Sequence, residues 1–265
     1  MSESKKIHFG YFSAKYLPAL KPIVDHVRAE HSFAFPCGSI SIEPHPEQGV
    51  YLVAVSGHAT AIIHDKEGRI DEPVTLDFPD AAFDAARMPE PIRMQYENDI
   101  YEAELPEWAH PQTVFVSTAG TFILTKMRNP IWAGEHMEFQ PCLYQRTTSF
   151  RHHTVGHDYR MTEGRPRDWR KMLNEVLTND VATASELIFN PAIPALFEGF
   201  NRLYGQQRVF HTLTTRKGQE HASSSSPVIL RFEKQPEFIG VYMGQTFGLC
   251  DAIPQHFYDI AEQSS

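Results

Sequence analysis

The chain has 265 residues, 42% apolar and 22% charged, enough to bury one large core or two of ordinary domain size. Its formal charge of −9 argues against a nonspecific basic coat for nucleic acid, while leaving room for one basic face outweighed elsewhere. No apolar run approaches the roughly 20 residues of a membrane helix, the opening Met1–His8 lacks the apolar stretch of a signal peptide, and Cys37, Cys142 and Cys250, far apart and odd in number, point to reduced thiols in a cytoplasmic protein.

Ile7–Phe12 reads as a short strand. Residues 13–28 read as a helix, because Leu17, Leu20, Val24 and Val27 recur at helical spacing and Ser13 suits the N-cap. Pro18 is tolerable near the first turn, whereas Pro22 implies a late start or a kink. Lys21, Asp25 and Arg28 fall on the opposite, polar side. Gly38–Glu43 alternates Ile40 and Ile42 with polar residues, as a strand does. The stretch Val50–Asp65 is the most informative: two Val- and Ile-rich runs, Tyr51–Val55 and Ala59–Ile63, flank Ser56-Gly57-His58 and predict two strands joined at a tight turn.

Pro73–Phe78 is a further strand, and Asp80–Met88 a short helix capped by Asp80 and anchored by Phe83. Ile92–Tyr96, Ile100–Leu105, Thr113–Ser117 and Thr121–Met127 continue as strands, the last two joined at Ala119-Gly120. Between Arg128 and Arg165 the pattern is loops broken by short strands such as Cys142–Arg146. Arg167–Leu177 reads as a helix with Trp169, Met172, Leu173 and Val176 inward. Pro191–Tyr204 reads as another, capped by Asn190, with Ile193, Leu196, Phe197 and Phe200 as its apolar stripe. Arg208–Thr215, Pro227–Phe232 and Phe238–Met243 are strands, and the polar Gly218–Ser226 is a hairpin loop. The order of helix, strands, helix, strands is seen once in full and once shortened. It predicts two α+β domains, residues 1–130 and 131–265, the second abbreviated.

Several of these stretches, in this order, resemble the sliding clamp family of DNA replication, in particular the bacterial DNA polymerase III beta subunit. Ala54-Val-Ser-Gly-His-Ala-Thr-Ala61 is similar to the family's strand ending Ala-Thr-Asp-Gly-His-Arg-Leu-Ala. Val74-Thr-Leu-Asp-Phe-Pro-Asp-Ala-Ala-Phe-Asp-Ala-Ala86 resembles its strand and Pro-initiated short helix. Glu163-Gly-Arg-Pro-Arg-Asp-Trp-Arg-Lys-Met-Leu173 resembles its Gly-x-Phe-Pro-Asp-Tyr-Arg-Arg-Val segment. Ile188-Phe-Asn-Pro-Ala-Ile-Pro-Ala-Leu-Phe-Glu-Gly-Phe200 resembles the helix opening of its last domain, followed by strands at Ser226–Phe232 and Phe238–Met243. The chain departs from the pattern at Ser56, where Asp is usual, and at Ala59, where Arg is usual. It has room for two domains rather than three, and Met243-Gly-Gln-Thr-Phe247 lacks the Met-Pro-Met-Arg ending that lines the family's partner-peptide pocket.

The resemblance implies a DNA clamp-like fold, with antiparallel sheets and helices on one face, the helices turned toward duplex DNA. Contact would be sequence-neutral, from Lys and Arg to phosphates. The helical candidates are Lys15, Lys21, Arg28, Arg87, Arg167, Arg170, Lys171 and Arg202; each is equally read as a solvated helix charge, and Asp80, Asp84 and Glu198 dilute the track. A six-domain ring from two-domain chains would be a homotrimer. DNA polymerase or other replication proteins would be the partners, with no cofactor, no catalysis and no membrane. A divergent clamp of this kind would suit a phage or mobile element.

Other chemistry is weakly signalled. Arg151-His-His-Thr-Val-Gly-His-Asp158 brings three imidazoles and a carboxylate close in sequence, so His152, His153, His157 and Asp158 could hold a divalent metal for hydrolysis, or form a polar turn. His58 is read as a hydrogen-bonded turn residue rather than a base, and Cys142 as a reduced, unpaired thiol rather than a nucleophile paired with His152 or His153. No phosphate-binding loop or dinucleotide fingerprint is present. Two readings therefore stand beside the clamp: a clamp-fold interaction protein that binds replication proteins without closing a ring, and a metal-dependent hydrolase.

Overall fold

Alternation along the Val- and Ile-rich runs decides the architecture, because each strand offers one apolar set to each face of its sheet. A computed structural model describes residues 9–30, 39–87, 92–96, 99–103, 113–117, 122–125, 153–156, 168–181, 190–205, 207–215 and 226–243. The elements in chain order are β1 (Phe9–Ser13), α1 (Tyr16–Glu30), β2 (Ile40–Pro44), β3 (Val50–Val55), β4 (Ala59–Asp65), β5 (Arg69–Ile70), β6 (Val74–Leu76) and α2 (Asp80–Ala85). They continue with β7 (Ile92–Tyr96), β8 (Asp99–Ala103), β9 (Thr113–Ser117), β10 (Phe122–Thr125), β11 (His153–Gly156), α3 (Trp169–Leu177) and β12 (Asp180–Val181). The last are α4 (Ala192–Ala195), α5 (Glu198–Tyr204), β13 (Val209–Thr215), β14 (Pro227–Phe232) and β15 (Gln235–Met243). The fold is α+β, and every described strand pair is antiparallel.

An eight-stranded sheet runs β12-β13-β14-β15-β4-β3-β2-β6; a five-stranded sheet runs β11-β10-β9-β1-β5; β7 and β8 form a separate hairpin. The large sheet is palindromic. A three-strand meander, β2-β3-β4, meets a second one, β13-β14-β15, through their third strands, with Ala61 opposite Gly240 at the centre. Each meander follows a helix, α1 in the first case and α5 in the second, and the two helices touch. A Cβ on Gly199 would lie 2.7 Å from the Cα of Ala19. The two halves of the chain thus share one sheet and one core, while the division at residue 130 lies outside the described residues.

That core lies between the helices and one sheet face. Leu52, Ala54, Ala61, Ile63, Leu230, Phe238 and Tyr242 meet Leu17, Leu20, Ile23, Phe197 and Phe200 there. Phe12, Ile70, Val114 and Val116 enter from the smaller sheet. Phe78 and Phe83, both fully buried, pack edge-on to one another at 6.2 Å, and burying a ring of this size contributes roughly 1.5–3 kcal/mol. Gly240 is required by close packing, since a Cβ there would sit 2.7 Å from the ring of Phe197.

Several local expectations shift. The first helix begins at Tyr16, not Ser13: Ser13 belongs to β1 and ends that strand, where its N–H donates to Asp65 Oδ2 at 2.7 Å. The helix continues through Pro22. Asp80 is the first helical residue of α2 rather than its cap, which is Pro79; its carboxylate is drawn to Lys21 and Arg28 instead. The expected helix over 191–204 is two short ones, α4 and α5, interrupted at Leu196–Phe197 where tight bonds run from Leu196 N–H to Ile193 O and from Phe197 N–H to Pro194 O. Asn190 does cap, its Oδ1 accepting from Ala192 N–H at 3.0 Å. The His-rich turn contains a strand, β11, with His153 opposite Thr125 of β10. The expected strand at Cys142–Arg146 and loop at Gly218–Ser226, apart from Ser226, lie outside the described residues.

The largest departure concerns the helices, which do not all lie on one face. α3 covers the opposite side of the eight-stranded sheet, where Trp169 packs on Val53 and Ile62, and Val176 on Ile229 and Val241. Its inward set, Trp169, Met172, Leu173 and Val176, is the one its periodicity indicates.

The α1–α5 contact yields a test. Gly199→Ala would raise intrinsic helix propensity by up to about 1 kcal/mol, but the new methyl meets the α1 backbone, and such overpacking costs about 1–3 kcal/mol. The variant is therefore expected to unfold at lower urea; an unchanged or higher midpoint would show that the two helices do not meet at Ala19.

Candidate functional site

Five of the candidate cations lie in or beside α1, α2 and α5; α1 carries Lys21 and Arg28 beside its apolar stripe, and Lys15 sits in the turn before it. With Leu17, Leu20, Ile23, Val24 and Val27 buried, Lys15, Lys21 and Arg28 are left on or near the surface. Lys21 Nζ lies 2.8 Å from Asp25 Oδ2 and 2.9 Å from Asp80 Oδ1. Arg28 contacts Asp77, Asp80 at 3.2 Å and Asp25 at 3.6 Å, and donates to the Phe78 carbonyl at 2.6 Å. Both cations also sit over the Phe83 ring. Burial opposes the charge on Lys21, but its bonds to Asp25 and Asp80 outweigh that and raise its pKa. The bonded Lys21 ammonium, with Arg28 beside it, holds Asp80 below the usual carboxylate range.

The remaining candidates behave alike or lie elsewhere. Arg87 reaches Asp84 at 3.2 Å, and Arg202 reaches Glu198 at 3.5 Å. Lys15 Nζ sits 4.9 Å from the Tyr16 ring centroid. Arg170 and Lys171 belong to α3, on the other side of the sheet, so they cannot share a surface with α1. Arg167 lies outside the described residues. The helix face is therefore a balanced mesh of ion pairs rather than a basic track, which a count of helical Lys and Arg could not reveal.

The opposite face centres on α3. Its N-cap is Asp168, whose side chain accepts from Lys171 N–H at 3.1 Å. Trp169 Nε1 donates to Glu43 Oε1 at 2.8 Å, Arg170 donates to Glu43 Oε2, and the Arg170 guanidinium lies 4.2 Å from the Trp169 ring centroid. Glu43 was not legible as functional: it occupies the polar beat of Ile40-Ser-Ile-Glu, where alternation predicts a solvent-facing side chain. It is nevertheless buried, with both of these α3 side chains donating to it.

Grooves flank α3 on both sides. One, of about 900 Å³, is lined by Ser56, His58, Thr60, Met172, Val241 and Met243 among others. Its floor is shaped by the turn after β3, where Ser56 Oγ accepts from Ala59 N–H at 2.9 Å and from His58 N–H at 3.3 Å. The His58 carbonyl accepts from Met243 N–H at 2.9 Å, and its ring stands edge-on to His26 at 6.0 Å. His58 is thus a turn residue packed against α1. The other groove, of about 730 Å³, is lined by Tyr51, Ile62, His64, Phe210 and Ile239 among others.

Among the described residues no three His, Cys, Asp or Glu side chains are placed to share a metal ion, and no helix is long and apolar enough to cross a membrane. His152, His157, Asp158 and Cys142 lie outside those residues; His153 is in β11.

Two imidazoles report on acid. The rings of His45 and His64 stack at 3.9 Å, and His45 Nδ1 accepts from Glu47 N–H at 3.1 Å and Gln48 N–H at 3.2 Å. Burial, then the charge of His64, lowers the His45 pKa; Glu47 opposes this. His211 pairs with the Tyr242 hydroxyl at 3.0 Å, and burial lowers its pKa while pushing that of Tyr242 up to about 12. A histidine held below its unfolded value favours the fold fully above about pH 6.5 and loses that contribution as pH falls toward its folded value. The urea midpoint should therefore fall between pH 7.5 and 5.5, and His211→Gln should flatten part of that slope; a pH-independent midpoint would contradict it. Comparisons with protein-family models and with curated proteins find no match to this chain.

Proposed function

We propose that this chain is a DNA-replication accessory protein built on the plan of a sliding clamp, meeting duplex DNA across the α1–α5 face and a replication protein on the α3 face. The observation that carries the reading is the palindromic sheet, in which two helix-plus-meander units join through β4 and β15 with α1 against α5. That repeat accompanies the ordered resemblances at residues 54–61, 74–86, 163–173 and 188–200, and the paired helices on one face are what a clamp-like fold turns toward DNA. The end of β15, including Met243, lines the 900 Å³ groove beside Ser56-Gly57-His58, which offers a replication protein a recess on the α3 face although the family's Met-Pro-Met-Arg ending is missing.

The charge balance shapes how such a face would work. A phosphate approaching Lys21 or Arg28 has to displace Asp25, Asp77 or Asp80, so few counterions are released per contact and affinity is low. Weak contact permits sliding, and retention then depends on enclosure by a six-domain homotrimer. The same ion pairs favour a second reading, in which the chain keeps the fold, stays an open arc, and serves as an interaction protein for replication factors.

Sedimentation over a range of concentrations separates the two. A trimer that retains circular but loses linear duplex supports enclosure, whereas a strict monomer transfers the assignment to the open interaction protein. Contact itself is tested by Asp25→Asn combined with Asp80→Asn, which frees Lys21 and leaves Arg28 with Asp77 as its carboxylate partner. Association with duplex at low salt should strengthen several-fold and become more salt-dependent; unchanged association would mean that these helices do not face DNA. Arg170→Ala with Lys171→Ala, on the other face, should leave DNA association unaltered.

A further inference from the structure

We infer that the second face of the eight-stranded sheet is a docking surface for an amphipathic helix, that α3 occupies it in cis, and that Glu43 is the latch that holds α3 there. A partner segment of the same chemistry, an aromatic-basic pair followed by apolar residues three, four and seven positions on, would exchange with it. The argument begins with how α3 is attached. Its apolar residues join none of the main core; they form two small clusters apart from it, Trp169 with Val53 and Ile62, and Val176 with Ile229 and Val241, bridged by Leu173 and Ile239. A nine-residue helix is not stable alone in water, so α3 persists only while seated.

The seat has the features of a helix-binding groove. Its apolar floor crosses β3, β4, β15 and β14, and a carboxylate stands at one end to receive an indole N–H and a guanidinium together. One turn along the helix Thr60 Oγ1 meets Met172 Sδ at 3.7 Å, and beyond its far end Asn179 Nδ2 meets Thr214 Oγ1 at 3.4 Å. Leu177, 55% exposed, contributes little. Glu43 is buried, and Trp169 and Arg170 of α3 both donate to its carboxylate. When α3 lifts, the carboxylate returns to water, and no buried charge is left behind to oppose release. The flanking grooves of about 730 and 900 Å³ would then merge into a single open apolar face.

Because this exchange is a property of the free chain, it stands or falls separately from the clamp reading. The probe is a labelled synthetic peptide of residues 167–181, and the host is full-length protein carrying Trp169→Ala and Arg170→Ala, which leaves Glu43 and the floor intact. Amides of 170–177 should exchange with deuterium at least tenfold faster than in the wild type, with protection of β3, β4 and β15 unchanged. The peptide should bind the variant at least tenfold more tightly than the wild type, and adding Glu43→Ala should abolish the gain. Exchange of 170–177 in step with the sheet strands would overturn the proposal, because α3 would then belong to the global fold. Equal peptide binding by wild type and variant would overturn it as well. If the double variant does not fold, Glu43→Gln serves: faster exchange confined to 170–177 supports the latch, and unchanged or sheet-wide exchange refutes it.

Discussion

The antiparallel bond between β4 and β15 is the constraint on which the described structure depends. It runs from Ala59 opposite Tyr242 to Ile63 opposite Phe238 and joins strands nearly 180 residues apart in the chain. Bringing such distant segments together carries a large loop-closure cost, so the pairing needs support from both faces. On one side it receives the aromatic cluster of Phe197, Phe200 and Phe238; on the other, Ile62, Ile239 and Val241 lie under or beside α3. Without this pair the eight-stranded sheet would divide into two four-stranded ones, each with an unpaired apolar edge.

From that pairing follows the division of labour between the faces. Helices α1, α4 and α5 close the core and carry a charged outer surface in which cations and carboxylates are interleaved. The opposite face is covered more sparsely, by one helix with a groove on either side. Ion pairs between exposed groups contribute little stability, at most about 1 kcal/mol each. Their consequence is electrostatic: the potential that Lys21, Arg28, Arg87 and Arg202 would project is cancelled close to its source. Glu43 differs because it is shielded from water and binds two donors from a single helix.

Much of the fold was legible from local pattern. The strands at Val50–Val55 and Ala59–Asp65, the turn between them and the inward set of α3 all follow from periodicity, because a strand or helix that buries one side must repeat apolar residues at its own period. Caps and boundaries were less legible. Ser13 and Asp80 are good caps by residue type, yet Ser13 ends β1 with its N–H bonded to Asp65, and the Asp80 carboxylate is drawn to Lys21 and Arg28. Local preference of about 1 kcal/mol gives way readily to such partners.

By itself, then, the sequence determined the α+β composition, the strands of the large sheet and the types of residue available to each surface, since these depend on neighbours a few positions apart. Only the tertiary structure decided that the two repeats share one sheet, that α3 lies on the face opposite α1, and that Glu43 meets Trp169 and Arg170. Those outcomes depend on which strand edges pair. Edge pairing is made by backbone groups common to every residue, so it leaves little trace in residue identity.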